Sequence, residues 1–192
     1  HSTRDVAFSP DGKKMFISVG SNSNIDDPDD HKGEFHRANV LVCDPDGSNL
    51  RVFASGTRNP VGLAIEPTTG ELWVSVNERD NLGDNLVPDY ITSVKEDGFY
   101  GWPWFYIGAH EDPRAKMVRP ADKTADKVIV PDVLMQPHNA SLGLTFYDGT
   151  MFPQEYRGDL FAAEHGSWNR STPSGHELVR VPLQKGKSNG VY

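Results

Sequence analysis

The sequence has one cysteine, Cys43, so no internal disulfide is available to hold it together. In the run "ANVLVCDPDG" this cysteine reads as a small buried hydrophobe of a strand. Basic residues are also scarce. Nineteen Lys and Arg stand against 27 Asp and Glu, a net charge of -8. That balance argues against the basic stripe of a nucleic-acid binder and the polybasic handle of an anionic-membrane binder. No apolar run approaches the ~20 residues of a membrane-spanning helix, and few segments carry helical periodicity with caps. Several motifs are missing as well. Neither the Gly-x-Gly-x-x-Gly nor the Gly-x-x-x-x-Gly-Lys-Ser/Thr loop occurs, so nucleotide chemistry is unsupported. There is no Gly-x-Ser-x-Gly elbow and no His-Glu-x-x-His or Cys-x-x-Cys metal signature. No signal peptide is visible, and the chain opens on His1 almost directly at a strand pattern, which reads as a truncated longer chain.

What is present is turns and a repeat. Eighteen glycines and 14 prolines punctuate the chain, and Asp-Gly pairs at Asp11, Asp46, Asp97 and Asp148 are hairpin signals. "VAFSPDGKKMFISVG" (6–20) lies over "LAIEPTTGELWVSVN" (63–77), with Phe8 on Ile65, Pro10 on Pro67, Phe16 on Trp73 and Ser18 on Ser75. A looser third copy runs from Leu142 to Gly166. Further strand candidates, "ANVLVCDPDGSNLRVFASG", "YITSV" and "HELVRVPL", follow the copies. Units of about four short strands at this period predict an all-β fold, a β-propeller, with units at 1–57, 58–137 and 138–192. A β-sandwich is the structural alternative. Three blades are fewer than the four to eight that close a propeller, so the chain is expected to be part of a larger one.

In a propeller the innermost strand ends gather around one channel mouth. Residues before each copy and after its second strand are therefore the candidates: His1, Ser21, Asn22, Arg58, Asn77 to Asp80, His138, Asn139 and His165 to Arg170. Each has a plainer reading: a terminal histidine can be a bystander, and Arg58 can pair with a neighbouring acid. The acidic stretch Asp26 to His36 lacks calcium-loop spacing and reads as a solvated loop, while Phe99 to Tyr106 reads as aromatic packing. Asn139-Ala140-Ser141 and Asn169-Arg170-Ser171 match glycosylation acceptors, a tripeptide common by chance.

"GTRNPVGLAIEP", "VNERDNLGDNLVPDYITSV", "GFYGWPW", "ASLGLTFYDG" and "HGSWNRS", in this order, resemble the L-sorbosone dehydrogenase family, grouped with the soluble glucose dehydrogenases that use pyrroloquinoline quinone (PQQ). The resemblance implies a six-bladed propeller with PQQ and a calcium ion at the channel mouth. It implies hydride transfer from a sugar hydroxyl or hydrated aldehyde to PQQ, with sorbosone among the substrates and an electron acceptor such as a cytochrome c. A periplasmic or secreted setting follows by the same analogy. His1 falls on the family's general base, a role that suits an imidazole, and Ser21 replaces an aspartate there. Arg58 falls on the arginine facing the quinone, where a cation stabilises developing charge. Asn77, His138, His165, Asn169 and Arg170 fall at cofactor-bordering strand ends, Arg170 as a carboxylate partner. Glu78 and Arg79 stand where a Gly-Pro pair offers main-chain oxygens to calcium. The alternatives are a calcium-dependent lactonase-type hydrolase and a non-catalytic binding propeller.

Overall fold

The computed structural model describes residues 1, 2, 4–25, 36–115 and 118–192; the expected acidic loop from Asp26 lies outside them, save His36. Sixteen strands run in chain order among these residues. β1 (Val6–Phe8), β2 (Met15–Val19), β3 (Asn39–Cys43) and β4 (Arg51–Ser55) form an antiparallel meander. β5 (Asn59–Ile65), β6 (Leu72–Asn77) and β7 (Tyr90–Ser93) form the second. The short pieces β8 (Gly98–Phe99), β9 (Phe105–Tyr106), β10 (His110–Glu111) and β11 (Val133–Leu134) follow. The third sheet is β12 (Ser141–Phe146), β13 (Leu160–Glu164) and β14 (Leu178–Val181), and a ribbon of β15 (Leu183–Gln184) and β16 (Lys187–Ser188) comes last.

The hairpins close where the turn chemistry sits. Gly12, Gly47 and Gly70 all hold positive φ, the conformation glycine adopts without steric cost. Register follows: Val6 faces Ile17, Val19 faces Asn39, Asn59 faces Asn77, and Ser141 faces Glu164. Two connections depart from the simple repeat. β8 runs back to pair in parallel with β4, Ala54 opposite Gly98, and so adds a fifth strand to the first sheet. β11 then returns to complete the second sheet beside β7. The third sheet has three strands rather than four, because Lys185 and Gly186, both at positive φ, fold β15 onto β16 as a separate ribbon.

The second sheet is buried on both faces, so its strands read as apolar runs rather than alternating ones. Val74, Val76, Leu63, Leu72 and Tyr90 pack with Phe16, Val40, Val42 and Phe53 of the first sheet. Trp73, Ile91 and Val133 turn the other way, against Leu160, Ala162, Val179 and Val181 of the third. Tyr100, Trp102, Trp104 and Phe105, the expected aromatic packing segment, are buried, and Cys43 is a buried free thiol.

The repeat-aligned serines do the same work in successive sheets. Ser18 Oγ donates to the Val61 carbonyl of β5 at 2.8 Å, and Ser75 Oγ donates to the Leu142 carbonyl of β12 at 2.6 Å. Each stitches one sheet to the innermost strand of the next. Gly62 permits the second approach, since a Cβ there would stand 2.3 Å from the Leu142 oxygen.

Candidate functional site

β2, β6 and β13 end where β3, β5, β7 and β12 begin, so loops from all three sheets meet at one end. The opposition of Asn59 and Asn77 across β5 and β6 places the residue before β5 beside those after β6. Arg58, buried at 4% exposure, reaches across that gap. Its Nη1 donates to the Glu78 carbonyl at 2.6 Å and to that of Asn77 at 3.4 Å. Nη2 donates to Asn24 Oδ1 at 3.0 Å and to Asp80 Oδ2 at 3.4 Å, and Nε donates to the Asn24 carbonyl at 3.3 Å.

Asp80 is the hub. Besides Arg58, its Oδ1 accepts from Asn169 Nδ2 at 2.7 Å and lies 3.3 Å from His138 Nδ1. Its own N–H donates to Asn24 Oδ1 at 2.9 Å. The other ring nitrogen of His138 lies 3.0 Å from the Gly83 carbonyl oxygen. Arg58, His138 and Asn169, from three separated segments, thus converge on one carboxylate, and Asn24 holds the main chain of Asp80. Beside them Asn81, Gly83, Arg114 and Asn169 line an open hollow of about 390 Å³. Asn169 Oδ1 is buried with no hydrogen-bond partner among the described residues, so its amide is anchored at one end only.

Two buried acids lie behind the hub. Asp89 Oδ1 accepts from the Glu78 N–H at 2.7 Å and Oδ2 accepts from the Ala140 N–H at 2.8 Å, tying the end of β6 to the start of β12. Burial is the main cause that pushes both the Glu78 and the Asp89 carboxyls up to about 7, against the pull of nearby cations and N–H donors. Arg79, wholly buried, pairs with Asp112, Nε to Oδ2 at 2.6 Å and Nη2 to Oδ1 at 3.2 Å.

The remaining expected residues sit as follows. The main-chain nitrogen of His1 donates to the Ser21 carbonyl at 2.8 Å, and the Ser21 N–H donates to the Arg58 carbonyl at 2.7 Å; Ser21 Oγ turns to the Ser23 carbonyl. Asn77 Nδ2 donates to the Ser141 carbonyl, and its Oδ1 accepts from Asn59. Arg170 donates to the carbonyls of Asp84, Pro137 and Thr172. His165 is exposed, its ring 6.1 Å from that of His176. Arg58, Glu78, His138 and Asn169 are therefore brought together, Asn77 braces them, and His165 stands apart from them. Of the two carbonyls expected to hold calcium, that of Glu78 accepts from the Arg58 guanidinium. Among the described residues no three His, Cys, Asp or Glu side chains group to hold a metal, so an ion here would rest on main-chain oxygens.

Sequence reasoning missed Asn24, Asp89, Asp112 and Arg114. Asp112 and Arg114 carried a readable signal, since Asp-Pro-Arg is a turn sequence. Asn24 carried none.

Three sheets whose strand ends meet in one polar cluster define a β-propeller arc. The chain belongs to the glucose/sorbosone dehydrogenase family, which it matches over residues 1–169. It is 29% identical over 224 residues to a pyrroloquinoline quinone-dependent pyranose dehydrogenase of Coprinopsis cinerea, covering 96% of this chain and 30% of that protein. The holo structure of the pyranose dehydrogenase PQQ domain from Coprinopsis cinerea aligns with a TM-score of 0.76 and 26% identity, over 96% of this chain and 53% of that one. A Trichoderma reesei enzyme of carbohydrate-active family AA12 shares the fold, with a TM-score of 0.78 and 19% identity over 99% of this chain and 55% of that one. The chain thus spans about half the length of the solved relatives and less of the pyranose dehydrogenase itself. No helix among the described residues is long and apolar enough to cross a membrane.

Proposed function

We propose that this chain forms part of the channel mouth of a PQQ-dependent sugar dehydrogenase. The observation that carries the reading is the convergence of three sheets on Asp80 and Arg58, in a chain of the glucose/sorbosone dehydrogenase family. The residues fit a flat, polyanionic quinone. The Arg114 guanidinium and one half-anchored amide border an open hollow, and such groups recognise carboxylates and quinone oxygens. PQQ, when bound, supplies the two-electron acceptor for a hydride from a sugar hydroxyl carbon or a hydrated aldehyde.

The chain's own groups do the rest. His1 takes the hydroxyl proton as general base. Arg58, held by Asn24, Asn77, Glu78 and Asp80, contributes a fixed positive field toward charge developing at the mouth. Its donors already have protein acceptors, so this role is field rather than direct grip. Asn169 borders the cofactor directly with His138 behind it, holding Asp80, while Asn77, Arg170 and His165 shape the rim. A calcium ion beside the quinone, held by the main-chain oxygens of Glu78 and Arg79, belongs to the same proposal. Sugar choice, sorbosone included, an external acceptor such as a cytochrome c, and a periplasmic or secreted setting belong to the same proposal and rest on the family's habit.

The test is reconstitution of the full-length protein with PQQ, followed by dye reduction with aldoses and sorbosone. Turnover that requires PQQ, falling tenfold or more in Arg58→Ala or His1→Ala, is the expected result. PQQ-independent sugar turnover, or no PQQ binding, would overturn the reading.

A further inference from the structure

Arg114 follows β10 in a loop whose conformation is set by Asp112. The Asp112 carboxylate accepts the Arg114 N–H at 2.8 Å, fixing the turn, and its remaining capacity goes to the Arg79 guanidinium. The carboxylate nearest in sequence therefore does not neutralise the Arg114 side chain. Asp80, the other acid of the mouth, is engaged by Arg58, His138 and Asn169, and Asp84 accepts from Ser171. No ion pair or side-chain hydrogen bond of the Arg114 guanidinium occurs among the described residues. This guanidinium stands exposed beside a hollow, in a chain with eight more acidic than basic side chains. That hollow, about 390 Å³, is lined by Arg114, Asn81, Gly83 and Asn169, and Asn169 links it to the Asp80 hub.

We propose that Arg114 is an anion-recognition residue of the channel mouth, gripping a carboxylate of the molecule that occupies the hollow. Guanidinium presents a planar fork of donors that matches a carboxylate bidentately. The carboxylate has two sources. It belongs to the quinone cofactor, in which case the inference deepens the proposed function, or it belongs to an acidic sugar such as a uronate.

The experiment is equilibrium binding to the full-length protein, read by quenching of tryptophan fluorescence and by calorimetry. PQQ, its trimethyl ester and glucuronate are the probes, with wild type, Arg114→Gln and Arg114→Lys compared. Because the side chain is exposed, both variants should melt with the wild type, which a thermal scan checks. A tenfold or greater loss of PQQ affinity in Arg114→Gln, smaller in Arg114→Lys and absent with the trimethyl ester, assigns the cofactor's carboxylate. Unchanged PQQ affinity with a tenfold loss for glucuronate assigns the substrate's. If wild type binds no PQQ, the proposed function fails, and glucuronate binding alone then decides the role of Arg114. Equal affinity of wild type and Arg114→Gln for both carboxylates overturns the inference.

Discussion

The buried Arg79–Asp112 pair makes the sharpest test of how this mouth is held. Arg79 is 1% exposed and Asp112 is 7% exposed, with contacts at 2.6 and 3.2 Å. Burial pulls the Arg79 pKa below its ordinary value, while Asp112 is the leading influence holding it up. Removing the carboxylate leaves a desolvated guanidinium whose one remaining hydrogen bond among the described residues is to the Asp80 carbonyl, at 2.9 Å. Breaking one side of a buried pair costs about 3–5 kcal/mol, a large share of a typical stability of about 5–15 kcal/mol. Asp112→Asn keeps an acceptor for the Arg114 N–H and removes the charge, so it should lose most of that amount. Arg79→Met combined with Asp112→Leu should recover much of it, since replacing both partners with apolar groups is often nearly neutral. Urea unfolding followed by tryptophan fluorescence reads all three, because Trp73, Trp102 and Trp104 are buried. A loss under about 1 kcal/mol in Asp112→Asn, the scale of an exposed pair, would show that Arg79 is solvated and that the pair does not hold the loop.

Glu78 and Asp89, raised from 4.5 and 3.8 to about 7, keep protons in the folded protein that the unfolded chain releases. Their contribution is therefore full below about pH 4 and is lost as pH rises through 7, at most about 3 kcal/mol for Glu78 and about 4 kcal/mol for Asp89. Relative to wild type, Glu78→Gln should gain stability in urea melts between pH 5 and pH 8; a pH-independent difference would refute the shift. Gly62→Ala should cost about 1–3 kcal/mol by driving a methyl into the Leu142 oxygen, and an unchanged melting midpoint would mean the second and third sheets are not tightly seated. Leu160→Ala, fully buried between those sheets, should cost about 2–5 kcal/mol by chemical denaturation, and a loss under about 1 kcal/mol would place that core elsewhere.

The repeat was the most legible feature, and for a local reason. Strand alternation and turn glycines act within about fifteen residues, so aligning Ser18 with Ser75 found two serines that make the same bond to the following sheet. The site was legible only in part. Position in the repeat placed Arg58, His138 and Asn169 at one end of the molecule, but not their partners. Asn24 meets Arg58 across 34 positions and Asn169 meets Asp80 across 89, and no periodicity spans such separations. The parallel return of β8 onto β4 was hidden likewise, because two residues, Gly98 and Phe99, leave no pattern to read.

The arginine at the start of the β5–β6 hairpin and the charges at its end answer one another. Antiparallel register brings them to the same place, and Arg58 closes over the carbonyls of Asn77 and Glu78 and the carboxylate of Asp80. A cation so fully coordinated is poorly suited to grip a ligand and well suited to fix the backbone around one. Asp80 is fixed in turn from the third sheet by His138 and Asn169, and Arg79 is committed to Asp112. The charges that make this stretch conspicuous in sequence are thus largely consumed in holding the three sheets in register. The guanidinium left over is that of Arg114, in the Asp-Pro-Arg turn that follows β10. Preorganisation of this kind separates the residues that brace a site from those that meet its ligand, since a donor already satisfied gains little from a new acceptor. If that division holds, Arg114→Gln should weaken carboxylate binding at unchanged stability, whereas Asp80→Asn should lower stability first.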